Sequence, residues 1–83
     1  MDKVLVEVFV PVLDRSFDMF LPLHLSICEV LTLLKKAISD LSDHCFVADD
    51  DTVLCRRDDG KILDINMSVY ELNICNGSKL MLI

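Results

Sequence analysis

Lys3-Val-Leu-Val-Glu-Val-Phe-Val10 is the stretch that decides the fold. A strand repeats its side-chain direction every second residue, so Val4, Val6, Val8 and Val10 share one face and Lys3, Leu5, Glu7 and Phe9 the other. Pro11 to Asp14 supply a turn, because proline cannot extend a ladder and an aspartate can bond its own backbone. From Arg15 to Leu21 the alternation resumes, with Phe17, Met19 and Leu21 on one side and Ser16, Asp18 and Phe20 on the other. Two such runs joined by a short turn predict an N-terminal hairpin.

Outward from the hairpin, Pro22 stops the second strand and Ser26-Ile-Cys-Glu29 has the pattern of a capping box, which predicts a helix beginning at Ser26. Ile27, Val30, Leu31, Leu34, Ala37, Ile38 and Leu41 follow at three- and four-residue intervals as one apolar stripe, which needs a sheet to cover it. Beyond the acidic Asp49-Asp50-Asp51, Thr52 to Arg56 reads as a strand, Arg57-Asp-Asp-Gly60 as a turn and Ile62-Leu63 as a short returning strand. Ser68-Val-Tyr-Glu71 repeats the capping pattern, with room for about one helical turn before Asn73. Asn76-Gly77 turns the chain into a last strand, Leu80 to Ile83. The order is ββαββ(short helix)β. It predicts an α+β fold in which a mixed sheet of four to five strands packs on one main helix, the last strand lying parallel beside the first: a β-grasp.

The chain has 83 residues, which predicts a single domain over 1–83 with one core. Folding at this size buries only about 60–65% of the chain's surface, so the apolar content must be dense, and it is 53%. A net charge of −6 repels a phosphate backbone, which argues against nucleic acid. The sequence contains no apolar run of the roughly 18–20 residues that span a membrane and no signal-peptide pattern at its start. These features predict a cytoplasmic protein without direct membrane insertion. Cys28, Cys45, Cys55 and Cys75 are too widely spaced for a zinc ribbon or an iron–sulfur site, and they read as buried or half-buried free thiols.

The closing stretch Tyr70-Glu-Leu-Asn-Ile-Cys-Asn-Gly-Ser-Lys-Leu-Met-Leu-Ile83 resembles the end of ubiquitin-like domains, where a helical turn and an Asn-Ile step precede an alternating terminal strand. Two features are similar to the YukD-like proteins, small ubiquitin-like components of Gram-positive type VII secretion systems. They are Asp18-Met-Phe-Leu-Pro22 leading through a Leu/Ile spacer into the helix, and Ile74-Cys-Asn-Gly77 followed by one short apolar strand. The resemblance implies a non-conjugated accessory or regulatory protein of such a system, acting through contact with a membrane component of the machinery or its ATPase. Any attachment at the inner face of the membrane would then come through that protein partner. Ubiquitin and its sulfur-carrier relatives act through a flexible Gly-Gly tail, whereas this sequence ends at Ile83. If that is the natural end, conjugation and sulfur transfer are not expected. Two alternatives stay open: a domain of a larger membrane component of the same system, and a modifier or sulfur carrier whose Gly-Gly lies beyond Ile83.

A half-covered sheet should alternate apolar with polar, and here the outward positions are unusually apolar. Leu5, Phe9 and Phe20 fall opposite the core sets of the hairpin, and Met81 and Ile83 opposite Leu80 and Leu82. With Leu54 they would crowd one exposed surface on the order of a few hundred Å², which marks a protein-binding face. By the resemblance, Met81 and Ile83 also match strand positions of ubiquitin's apolar recognition patch, and Leu13 lies in the equivalent first turn. A homodimer through this face and a heterologous partner are both compatible with it. Nothing in the sequence points to an enzyme, a cofactor or a metal. His24, His44 and Cys45 lack a third group to orient a base, and Asp49-Asp50-Asp51 lacks the spaced oxygens and glycine of a calcium loop. With glycines only at 60 and 77, no phosphate-cradling loop is present.

Overall fold

The computed structural model describes residues 2–43 and 52–83; His44, Cys45 and the triple aspartate lie outside the described residues. Strand β1 (Lys3–Val10) and strand β2 (Arg15–Pro22) form the expected hairpin, paired antiparallel with Leu5 opposite Phe20 and Val8 opposite Phe17. Pro11–Leu13 is a 3-10 turn closed by Asp14 in the left-handed conformation, φ 50°, whose N–H donates to the Pro11 carbonyl at 3.0 Å. Helix α1 (Ile27–Leu41) starts on Ser26 with both bonds of the capping box in place. Strand β3 (Leu54–Arg56) and strand β4 (Lys79–Leu82) complete a sheet of order β2-β1-β4-β3, with β4 parallel to β1 and antiparallel to β3.

The four valines of β1 are all buried, and with Phe17, Leu21, Leu80 and Leu82 they meet Ile27, Val30, Leu31, Leu34 and Ile38 of α1 in one core. Leu41 departs from the expected stripe. It is 58% exposed, as the last residue of the helix.

The returning strand expected at Ile62-Leu63 is reduced to one bridge between Cys55 and Ile62. The Arg56 N–H still donates to the Lys61 carbonyl at 2.9 Å and that of Leu63 to Leu54 at 3.0 Å, but Asp64 then turns the chain by accepting from Asn66 N–H at 2.9 Å. The second capping box also forms, with Glu71 N–H on Ser68 Oγ and Ser68 N–H on Glu71 Oε1, each at 3.0 Å. Its single turn ends at Asn73, φ 58°, a left-handed position that asparagine tolerates better than most residues. The two capped segments lie side by side: Ile27 N–H donates to Met67 at 2.9 Å, and Val69 N–H to Leu25 at 3.0 Å. Past its nominal ends, the β3–β4 pair continues through reciprocal bonds of 2.7 and 3.0 Å between Val53 and Ile83.

Candidate functional site

The register assembles the outer face of the sheet row by row. Leu5 stands beside Phe20 in the first row, and Glu7 lies between Asp18 and Lys79 in the next. Phe9 lies between Ser16 and Met81 in the third, with Cys55 beyond Met81. The face expected to be one apolar surface is therefore cut by a charged band. Arg57 crosses that band: its Nη1 donates to Glu7 Oε2 at 3.1 Å, and its guanidinium stacks 4.3 Å over the Phe9 ring. A cation over an aromatic face is attracted by the ring quadrupole, so Phe9 is half-buried beneath a held arginine.

Two apolar patches remain. One is Leu5 with Phe20, 39% and 66% exposed. The other joins the half-buried Phe9 and Met81 to Ile83, which is 52% exposed and on the side of the strand that Met81 occupies.

Two expected members of the face are elsewhere. Leu54 is 1% exposed, because its partner in the ladder is Leu82 and the two share the core side. Leu13 is half-buried and packs on the core; the residue that the first turn presents to solvent is Val12. The Arg57 device is not foreseen by the sequence. Its signal there is an arginine just past a strand end in an acidic chain, but the partners Glu7 and Phe9 are set only by the fold.

The thiols also differ from expectation, since Cys28 and Cys75 are exposed and only Cys55 is buried among the described residues. Cys55 Sγ donates to the Met81 carbonyl at 3.5 Å. Burial, helped by the Asp59 charge, raises its pKa above the ordinary 9.0. The folded state thus holds the thiol proton more tightly than the unfolded chain, so Cys55 leaves stability unchanged below the ordinary value and reduces it as pH rises through 9.0 toward the raised value. The loss of urea resistance between pH 8 and pH 10 is expected to be smaller in Cys55→Ala than in the parent; equal losses would contradict this. Iodoacetamide is expected to modify Cys28 and Cys75 in the native state and Cys55 only after unfolding.

The chemical candidates do not converge. His24 is exposed and lines a shallow depression with Asp2, Leu23, Ser68 and Tyr70. No cluster of three metal-ligating side chains occurs among the described residues. A depression of about 590 Å³ is lined by Arg56, Arg57, Asp58, Gly77, Ser78 and Lys79, a set without a nucleophile–base pair. What the site offers is contact area with a fixed arginine at its centre.

No protein-family model and no curated protein matches the sequence. Similarity is found among solved structures. The ubiquitin-like domain of the Mycobacterium tuberculosis type VII secretion protein EccD1 superposes with a TM-score of 0.80 at 16% identity, over 100% of this chain and 99% of that one. The EccD5 ubiquitin-like domain of Mycobacterium xenopi gives 0.73 at 20% identity, over 100% and 94%. A chain of a MycP5-free ESX-5 inner membrane complex gives 0.75 at 18% identity, over all of this chain but only 21% of that one. Both the strand order around one capped helix and these likenesses lead to one conclusion: the chain has a ubiquitin-like β-grasp fold, similar to that of the EccD domains of type VII secretion.

Proposed function

We propose that this chain is a non-conjugated ubiquitin-like module of a Gram-positive type VII secretion system, which works on the cytoplasmic side by docking on a membrane component of the machinery or on its ATPase. The observation that carries the reading is the outer sheet face, where Leu5 with Phe20 and Phe9 with Met81 and Ile83 stand exposed or half-exposed on either side of a charged band. An interface wants apolar anchors and polar groups that fix register; here the two apolar patches offer the first and the charged band between them the second. The fold likeness to EccD domains supports the choice of system. A second reading has its own support: the similar chain in the ESX-5 inner membrane complex is covered only to 21%, so an equivalent domain can be one part of a much longer protein.

The test is affinity capture of the tagged protein from its own cells, with the secretion-membrane components identified by mass spectrometry. Leu5→Asp and Met81→Asp, each checked for native circular dichroism, are expected to reduce that capture by about tenfold or more. Equal recovery by parent and both variants would remove the face from the proposal. No secretion component in any sample would remove the system.

A further inference from the structure

We propose that two copies of this chain pair through their β2 edges, forming one continuous antiparallel sheet across a two-fold axis at Met19. The surface adjoins the outer face above and shares Phe20 with it, and three observations converge on it.

First, β2 ends the sheet, and among the described residues no backbone group covers its outer edge, whereas the outer edge of β3 receives the bonds to Lys61 and Leu63. Open edges are normally guarded by charges, bulges or proline. Between its terminal Arg15 and Pro22, β2 carries one charge, Asp18.

Second, a groove of about 310 Å³ runs beside this edge, lined by Met19, Phe20 and Leu21 of β2 and by Leu33, Leu34 and Ala37 of α1. Leu33 is 53% and Phe20 66% exposed, so both leave apolar surface for a neighbour.

Third, the edge is complementary to itself. Two antiparallel strands related by a two-fold axis through the sheet must set like-facing residues opposite one another, so the axis passes between one residue and its own copy. Centred on Asp18 it would oppose two carboxylates. Centred on Met19 it opposes Met19 to itself, Phe17 to Leu21 and Asp18 to Phe20, with no like charges facing and nearly the whole strand paired. The remaining groove residues, Lys36 and Asp40, are opposite charges one helical turn apart and both exposed. In such a pair the helices flank the joined edges, and Lys36 of one copy would lie on the side of the groove that faces Asp40 of the other, twice over. A foreign strand would have no reason to match this reciprocal arrangement; a second copy matches it by symmetry.

The experiment is sedimentation velocity of the full chain from micromolar to millimolar concentration, with hydrogen exchange at both ends of the range. A monomer–dimer equilibrium is expected, with β2 amides gaining protection as dimer forms and β3 amides unchanged. Met19→Lys sets two ammonium groups face to face and is expected to abolish association. Lys36→Asp and Asp40→Lys, on the exposed helix surface, are each expected to weaken it by about tenfold, and the double reversal is expected to restore it. These two variants test the interface even if Met19→Lys fails to fold. A monomer throughout the range would overturn the proposal, leaving the edge to a foreign strand or to none. So would a dimer whose β2 amides stay unprotected, or one that the double reversal does not rescue.

Discussion

Leu80→Ala is expected to cost about 3–5 kcal/mol, a large share of the roughly 4–12 kcal/mol that a chain of this length has in total. Leu80 is fully buried in β4, paired with Val8 on one side and Arg56 on the other, so its side chain stands near the centre of the sheet where the core has least freedom to close. Lost transfer energy and an unfilled cavity both contribute, and the second is largest where neighbours cannot relax. Urea denaturation should show a lower midpoint with an unchanged slope. A loss below about 1 kcal/mol would mean that the core is less tightly packed at this point than the burial of Leu80 implies.

The second large effect is expected from Arg56. Its Nη2 donates to the Leu72 carbonyl at 2.7 Å, a charge-assisted bond from a half-buried guanidinium that ties the capped turn at 68–73 to β3. Arg56→Met keeps much of the aliphatic volume and removes the donor, leaving that carbonyl without it; the expected cost is about 2 kcal/mol. The distinguishing readout is local. Hydrogen exchange should accelerate at Leu72, Asn73 and Ile74 before it does so in β1. A uniform change across the domain would mean that Arg56 acts through packing and not through this bond.

How much of the fold and of the face is legible in the sequence depends on how local each feature is. The faces of β1, the start of α1 at Ser26 and the bonds of Ser68 with Glu71 are written within a few neighbouring residues, and all form as read. Leu54 escapes for the opposite reason. In Leu-Cys-Arg no local alternation marks the inward side, and only the pairing of Leu54 with Leu82 decides it. Leu13 is drawn onto the core and Val12 left in solvent because a 3-10 turn, not an extended loop, sets which of them points inward. The charged band combines positions from four segments, and its ion pair joins residues separated by 50 in the sequence, so it is invisible until the register is known. The β2 groove is hidden likewise: Leu33 lies off the helical stripe, and its exposure has meaning only beside an open edge.

The parallel pairing of β1 with β4 has a consequence for synthesis. The centre of the sheet is built from two strands far apart in the sequence, so β1 must wait for its neighbour Lys79–Leu82 to emerge from the ribosome. Until then Val8 and Phe9 lack their partners Leu80 and Met81, and closing so long a loop slows folding relative to local structure. The apolar faces of the nascent hairpin and helix are therefore expected to stay incompletely covered until β4 docks. Chaperones or proteases would meet the protein in that interval, before any docking surface exists.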